Sequence, residues 1–247
     1  MTSVASFRLV VADRLAASRH AARLLADELA SPRPVLGLAT GSSVELVYEE
    51  LARLVSADPA LRAAIRGAHG FALDEYVGLP AGDPNSYLAT LERQMAIPAG
   101  LPLDRLHVPA ASIAKDPGRY DKQISAVGGV AVQLLGIGGN GHIGFNEPGS
   151  PLDAGTRLIT LDERTRRDNA RFFASLAQVP AQAITQGIGT IMRARRLVLL
   201  AFDRQKAEIL AAALTGPVTQ QLPASALQRH PDVIVLADPD AASLLPA

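Results

Sequence analysis

Apolar positions along this chain form short continuous runs, separated by segments in which they recur at helical spacing. The run that begins at Val130 is continuous and of strand length, which is typical of a parallel strand buried on both faces. Comparable apolar or alternating runs predict further strands at residues 6–12, 34–39, 68–73, 105–109, 156–161, 196–202 and 232–237.

Helical spacing predicts helices between most of these strands, at residues 13–30, from the 40–43 loop to about 55, and at 86–95, 116–127, 163–173 and 203–214. The segment 181–194 is ambiguous because Gly187 and Gly189 would interrupt a helix. Strands that alternate with helices along the whole chain predict an α/β fold, with a mostly parallel sheet covered by helices on both faces. Because repeats and linker-like stretches are lacking, we expect residues 1–247 to form a single domain.

Composition narrows the function classes. With 48% hydrophobic and 19% charged residues, the chain can bury a substantial core. Its formal net charge is zero and it has no basic stripe, so nucleic acid is not an expected partner. No stretch approaches the ~20 apolar residues of a membrane span, and the N-terminus lacks a basic-then-apolar signal, so we expect a cytoplasmic protein without a membrane partner. The absence of cysteine excludes disulfides and thiolate chemistry.

Candidate chemistry lies just past the strand that begins at Val130. Glycines follow this strand, together with Asn140, His142, Asn146 and Glu147. In open α/β sheets, loops at the carboxyl ends of strands form ligand sites. Histidine titrates near neutral pH, and a carboxylate five residues on could stabilise its protonated form, so proton transfer is the predicted chemistry. The alternative is that His142 only caps the turn and Glu147 is solvated.

The strand at 68–73 runs directly into Asp74 and Glu75. Carboxylates avoid the end of a buried strand unless they are paired or take part in chemistry, so at least one of the two is expected to be functional. The alternative is that one of them caps the following turn.

A loop of glycine and hydroxyl residues, 40–43, precedes a predicted helix. Ser42 and Glu45 have the spacing of a capping box. Such a helix terminus offers backbone N–H groups to an anion, often phosphate, although an ordinary cap would look the same. Lys206 is a second candidate, because Asp203 is expected to be an N-cap and a cation in the first turn opposes the helix dipole unless it meets an anion. Alternatively, Lys206 pairs with a nearby acid.

The loops together resemble those of the glucosamine-6-phosphate deaminase family. The matching strings are LGLATGSS at 36–43, FALDEYVGLP at 71–80, LLGIGGNGHIGFNEPGS at 134–150, TRLITLDERTRRDNARFF at 156–173 and DRQKAEIL at 203–210. The similarity spans nearly the whole chain, and the DEYVGLP and GHIGFNEP strings are highly specific. It implies a modified doubly wound sheet and an enzyme that converts glucosamine 6-phosphate and water to fructose 6-phosphate and ammonia, with no cofactor or metal.

The resemblance also implies roles for single residues. Asp74 would move a proton between sugar carbons, and His142 would open the pyranose ring with help from Glu147. The phosphate group would be held by Thr40, Gly41, Ser42, Ser43, Arg171 and Lys206. The expected partner is the small-molecule sugar phosphate, while assembly into a homo-oligomer is left open. The arginine-rich segment 163–173 is the expected mobile cover of the site.

Two departures from the family pattern lead to hypotheses. Asn140 is an aspartate in some members and an asparagine in others, and an amide cannot supply charge to His142. Glu147 alone is therefore expected to supply it, and Asn140→Asp should raise the kinetic pKa. In allosteric members a basic pair binds an acetylated sugar phosphate; here Arg157 matches that pair but Ile159 replaces the lysine, and the chain stops at Ala247. We expect no activation by N-acetylglucosamine 6-phosphate.

Three other functions are compatible with parts of this pattern. A phosphogluconolactone hydrolase shares the fold and a related glycine-histidine loop, but it does not need an acid placed to move a carbon-bound proton. A galactosamine-6-phosphate deaminase would look much alike. A sugar-phosphate-sensing repressor domain would need a DNA-binding module, whereas the first predicted strand begins near Ser6. Retention of Asp74, His142 and Glu147 favours the deaminase.

Overall fold

The computed structural model describes residues 7–109 and 113–245. Ten strands form two sheets within this part of the chain. The strands are β1 (Phe7–Val11), β2 (Val35–Leu38), β3 (His69–Ala72), β4 (Asp74–Val77), β5 (Leu106–His107), β6 (Val132–Gly136), β7 (Arg157–Thr160), β8 (Gln182–Thr185), β9 (Arg196–Ala201) and β10 (Val233–Ala237). The expected start of the first strand at Ser6 lies outside the described residues.

The α-helices of the described residues alternate with these strands. They are α1 (Arg14–Leu29), α2 (Glu45–Ala57), α3 (Pro59–Ala64), α4 (Tyr87–Leu91), α5 (Ile97–Ala99), α6 (Gly118–Ala126), α7 (Glu163–Asn169), α8 (Ile188–Ile191), α9 (Ala207–Thr215) and α10 (Pro239–Ala242). A π-helical turn at Glu92–Ala96 joins α4 to α5. Among the described residues, no helix is both long and apolar enough to cross a membrane.

The larger sheet has seven strands in the order β1-β10-β9-β6-β2-β3-β5, and every pairing in it is parallel. Every residue of β2 and β10 is buried, so both faces of the sheet centre are covered. From β2 the chain adds β3 and β5 on one side, and from β6 it adds β9 and β10 on the other. This doubly wound topology, predicted from the sequence, is confirmed, and it opens a crevice between the carboxyl ends of β2 and β6.

The smaller sheet was not predicted. It is antiparallel, in the order β4-β8-β7. Tyr76 and Ala183 of its strands form a second core with Phe145 and Leu161. The strand predicted at 68–73 is β3, which ends at Ala72. The acids that follow do not lie in a loop, however, because Asp74–Val77 pairs with Gln182–Thr185, over a hundred residues later.

Several local predictions need correction. The predicted helix at 163–173 ends at Asn169, and residues 170–172 form a single 3₁₀ turn. The ambiguous segment 181–194 contains β8 and the short helix α8. Gly187 lies between these two elements. A Cβ at this position would lie only 2.2 Å from the backbone oxygen of Ala154. This glycine therefore permits close backbone packing.

Neither predicted helix cap forms. The N-cap of α2 is Val44, without a side-chain hydrogen bond, because a turn closed by the Val44 N–H on the Gly41 carbonyl shifts the helix start beyond Ser42. Asp203 has a left-handed φ of 75° and makes no side-chain cap. A 3₁₀ turn follows it, and Lys206 is itself the N-cap of α9.

Candidate active site

Four segments that carry candidate residues follow adjacent strands of the larger sheet. Because β9, β6, β2 and β3 are neighbours and parallel, their carboxyl ends lie at one edge. The segments after them carry Lys206, residues 137–150, residues 40–43 and Asp74, the first residue of β4, respectively. The structure thus brings all four predicted segments to the crevice at the centre of the sheet.

Residues 137–150, here called the site loop, fold on glycine turns. The Gly138 N–H donates to the His142 carbonyl at 2.9 Å, and the Gly141 N–H donates to the Gly138 carbonyl at 3.0 Å. An ideal Cβ at Gly138 would lie 2.3 Å from Cε1 of His142. Glycine at 138 therefore leaves the space that the imidazole occupies.

Glu147 is the centre of a polar cluster within the site loop. Its Oε2 accepts a hydrogen bond from Nδ2 of Asn140 at 2.6 Å, and its Oε1 accepts one from the hydroxyl of Thr165. Nδ1 of His142 lies 3.5 Å from the same Oε1, at ion-pair distance but without a hydrogen bond. Asn140 also accepts the His142 backbone N–H at 3.2 Å, so it orients the loop backbone and the carboxylate.

The surroundings of Glu147 keep its carboxylate ionised. Burial pushes the pKa upward, but the His142 imidazole and the donors on Thr165 and Asn140 outweigh it and lower the pKa of Glu147 to about 2. Glu147 therefore supplies a fixed negative charge beside His142 throughout the neutral pH range. The alternative that Glu147 is merely solvated is wrong.

Asp74 has the opposite environment. Its side chain is buried, and burial, followed by the negative charge of Glu75, raises the pKa of Asp74 to about 8. The backbone N–H of Phe145, in the site loop, partly offsets this rise. An ideal Cβ at Gly144 would lie 3.4 Å from Oδ2 of Asp74, so the site loop packs directly on the carboxyl group.

Comparison with known proteins identifies the family. Residues 11–235 match the family model of glucosamine-6-phosphate isomerases/6-phosphogluconolactonase. The chain belongs to this family. A glucosamine-6-phosphate deaminase of Bifidobacterium longum (strain DJO10A) is 48% identical over 250 residues, with 96% of this chain and 92% of that protein covered. One from Cutibacterium acnes is 47% identical over 241 residues, with 96% and 91% covered.

Solved structures with a similar fold come from the same family. A monomeric glucosamine-6-phosphate deaminase superposes with a TM-score of 0.88 at 39% identity, covering 97% of this chain and 99% of that chain. A 6-phosphogluconolactonase from Trypanosoma brucei gives a TM-score of 0.78 at 20% identity, covering 98% and 99%. At that identity the second likeness shows the shared fold alone.

Glu75 has a different role from Asp74 in this member of the glucosamine-6-phosphate isomerase family. Its Oε1 accepts the backbone N–H groups of Tyr76 and Tyr87 at 2.8 and 3.0 Å, and its Oε2 accepts that of Leu88 at 2.8 Å. Glu75 therefore caps the first turn of α4. This agrees with the alternative that one of the two acids has a structural capping role. Asp74 is left as the acid that faces the site loop.

Asn146 is a structural member of the site loop. Its buried amide donates to the carbonyls of Ile143 and Gln186 at 2.9 and 2.8 Å, and its Oδ1 accepts from Arg157 at 2.6 Å. Arg157 also donates to the Ser150 hydroxyl at 2.9 Å. Arg157, which matches an effector-binding arginine of the allosteric family members, thus links Asn146 to Ser150 within the site loop.

The candidate phosphate loop at 40–43 is held from both sides. The buried Tyr48 hydroxyl accepts a hydrogen bond from the Ala39 backbone N–H at 3.1 Å and donates one to the Ala39 carbonyl at 2.6 Å. Arg14 donates to the Ser42 carbonyl at 2.9 Å, and its guanidinium lies 5.0 Å from the ring centroid of Phe202, at the end of β9. Arg14 therefore bridges this loop to the segment that leads to Lys206, a link that sequence reasoning missed.

Arg171 is not brought to the phosphate loop by its contacts within the described residues. It lies on the exposed 3₁₀ turn after α7, with its guanidinium 4.7 Å from the ring centroid of its neighbour Phe172. Its predicted role in phosphate binding stays a prediction. Among the described residues, no group of three or more histidine and acidic side chains is placed to hold a metal ion.

Proposed function

We propose that this chain is a glucosamine-6-phosphate deaminase that converts glucosamine 6-phosphate and water to fructose 6-phosphate and ammonia. The observation that carries this proposal is the buried carboxyl group of Asp74 against the loop that holds His142 and Glu147. The deaminases of B. longum and C. acnes, similar over nearly their whole length, support it. Residues 1–247 form one catalytic domain, because the smaller sheet supplies β4 and Gln186 to the same site.

Ring opening is the first step. The anomeric hydroxyl of the sugar gives up a proton and the ring oxygen receives one, a task for an imidazole because histidine ordinarily titrates near neutral pH. His142 carries this proton, and the ionised carboxylate of Glu147 at 3.5 Å stabilises its protonated form. Asn140 holds the carboxylate in place through Oε2.

Asp74 then moves a proton from C2 to C1 of the open chain. The C2 proton is removed by the carboxylate, giving an enolamine, and is returned to C1, giving an imine of the 2-ketose. A water molecule hydrates the imine, and ammonia leaves to yield fructose 6-phosphate. The raised pKa of Asp74 suits this step, because a carboxylate of pKa about 8 is a stronger base than an ordinary one once ionised.

The phosphate end of the substrate orients the reacting carbons. The loop of Thr40, Gly41, Ser42 and Ser43 precedes the 13-residue helix α2, whose free backbone N–H groups favour an anion. Lys206 approaches from the neighbouring loop, and Arg171 completes the set when the segment after α7 closes on the ligand. Binding energy from the phosphate is used for positioning, so loss of these contacts lowers turnover as well as affinity.

The decisive experiment measures ammonia and fructose 6-phosphate released from glucosamine 6-phosphate by wild type, Asp74→Asn and Asp27→Asn. Asp27 is an exposed acid in α1, so its variant controls for loss of a carboxylate. Stoichiometric products in wild type and Asp27→Asn that vanish in Asp74→Asn are expected. Lack of product from wild type would overturn the proposal.

Two further substrates separate the alternatives. Galactosamine 6-phosphate tests the epimer preference, and 6-phosphogluconolactone tests lactone hydrolysis, which does not need Asp74. Hydrolysis of the lactone by wild type and Asp74→Asn alike, without amino-sugar turnover, would make the chain a lactonase. Gel filtration and cell fractionation test the open homo-oligomer and the cytoplasmic location.

A further inference from the structure

The helix α7 is joined to the candidate catalytic carboxylate by one buried hydroxyl group. Thr165, in the middle of α7, is only 7% exposed, and its Oγ1 donates to Oε1 of Glu147. The same helix is docked at its end, where Nδ2 of Asn169 donates to the Tyr76 hydroxyl at 2.9 Å. The ring of Phe173 then packs edge-on against Tyr76. Thus α7 contacts Glu147 in the site and Tyr76 in the second core.

The hydroxyl of Thr165 and the imidazole of His142 face the same carboxylate oxygen of Glu147. Oε2 of Glu147 accepts a hydrogen bond from Asn140, and Oε1 is the oxygen that both Thr165 and His142 approach. Thr165 makes the hydrogen bond, whereas Nδ1 of His142 stays 3.5 Å away, buried and without a hydrogen-bond partner. The position of α7 therefore affects how closely the imidazole and carboxylate can pair.

We propose that Thr165 is a positioning residue that couples the docking of α7 to the His142–Glu147 pair. With α7 docked, the hydroxyl holds Oε1 and keeps the carboxylate from bonding the imidazole fully. With the hydroxyl gone or α7 undocked, Oε1 is free to approach Nδ1, and a closer carboxylate favours the protonated imidazole. This inference rests on the proposed function, because it assigns significance to a pair that carries protons in ring opening.

The groups that act on Glu147 are few within the described residues. His142, from the site loop, is the titratable one; Asn140, from the same loop, and Thr165, from α7, are neutral hydrogen-bond donors. A neutral substitution at 165 therefore changes the bonding of Oε1 without adding or removing a charge.

The test uses Thr165→Val, which removes the hydroxyl at nearly constant volume, and Thr165→Ser, which keeps it. Thr156→Val is the matched control, because Thr156 is also 7% exposed and donates its hydroxyl to a carboxylate, that of Asp121, outside the site. The pH profiles of kcat and kcat/KM for ammonia release are measured for all four proteins. The NMR titration of the His142 imidazole, assigned with His142→Gln, is measured without substrate.

Thr165→Val is expected to raise the kinetic pKa and the His142 titration midpoint by about half a unit or more. It should lower kcat several-fold with a smaller change in KM, and Thr165→Ser should restore all three values. Thr156→Val should leave the pH profile and the titration as in wild type. A Thr165→Val titration and profile that match wild type or Thr156→Val would overturn the inference. The NMR arm needs no turnover, so it tests this link even if amino-sugar deamination fails.

Discussion

Gly138 and Gly144 bring the backbone of the site loop against the side chains of His142 and Asp74, respectively. A Cβ at Gly138 would enter the space of the His142 ring, and Gly144, with a φ of +55°, packs against the carboxyl group of Asp74. At both positions, the absence of a Cβ allows the loop backbone to lie close to a candidate site residue. Glycine-rich sequence after a strand predicts a turn, whereas the identity of the group that fills the vacated space depends on tertiary contact.

Gly138→Ala is expected to displace the imidazole of His142 and to lower kcat by about 10–100-fold, within the ~10²–10⁴-fold contribution of a positioned acid–base group. The control is Gly139→Ala, because a Cβ at Gly139 meets no atom within 4 Å. Steady-state kinetics and Tm of both variants provide the measurement. Equal activities of the two variants would contradict this role of Gly138.

Asp74→Asn is expected to stabilise the protein while abolishing turnover. The pKa of Asp74 is about 8 in the folded state against 3.8 for an ordinary aspartate. Between these values the folded protein holds a proton that the unfolded chain releases, so wild-type stability falls as pH rises. The asparagine variant does not lose stability in this way. Its free energy of unfolding relative to wild type should therefore increase from pH 5 to pH 8, by at most about 1.4 kcal/mol per pH unit.

Urea unfolding at several pH values measures this difference, with Asp27→Asn as the exposed control. A constant difference between Asp74→Asn and wild type across that pH range would show that Asp74 titrates normally. Asp27→Asn should follow the wild-type pH dependence.

At the scale of secondary structure, α4 begins on the carboxylate of Glu75. Its two oxygens accept the N–H of Tyr76 in β4 and those of Tyr87 and Leu88, two donors that the start of α4 leaves free. From the residues alone, at least one acid of the DE pair was expected to be functional, and the family resemblance implied that this acid is Asp74. The assignment follows from strand alternation, because adjacent residues of β4 point to opposite faces of the smaller sheet.

Glu75→Gln should lower the free energy of unfolding by about 1–3 kcal/mol, because an amide group replaces one acceptor oxygen and leaves a buried N–H unpaired. Activity should survive far better than in Asp74→Asn. Chemical denaturation with Glu49→Gln as an exposed control in α2 provides the measurement. A Glu75→Gln protein as stable as the control would show that the cap contributes little.

At the scale of the whole molecule, Arg157 and Ile159 of the smaller sheet both contact groups of their own chain. Arg157 uses its guanidinium on Asn146 and Ser150, and Ile159 packs against the second core that contains Tyr76 and Phe145. The arginine therefore serves the site loop of its own chain, and the neighbouring position is apolar.

Activation by N-acetylglucosamine 6-phosphate is accordingly not expected. The rate of ammonia release should depend hyperbolically on glucosamine 6-phosphate, and the curve should be unchanged when the acetylated sugar phosphate is added. Sigmoidal kinetics that become hyperbolic on its addition would contradict this. Inorganic phosphate at the same concentration controls for competition at the substrate site.

The sequence by itself determined the larger sheet and the membership of the site loop. Continuous apolar runs and helical spacing are local signals, so they identified the parallel strands and most helices, including α1 and α9. Polar residues that follow parallel strands lie at the carboxyl edge of the sheet, and the family resemblance implied that Asp74, His142, Glu147 and Lys206 belong to one site there.

Only the tertiary structure decided the rest. Pairing of β4 with β8 joins residues over a hundred positions apart, and the capping predicted for Ser42 and Asp203 was overridden by the turns that connect their strands to helices. Nor does the sequence reveal that Thr165 meets Glu147 or that Arg14 spans two loops. These contacts depend on the relative placement of distant elements, which local periodicity does not encode.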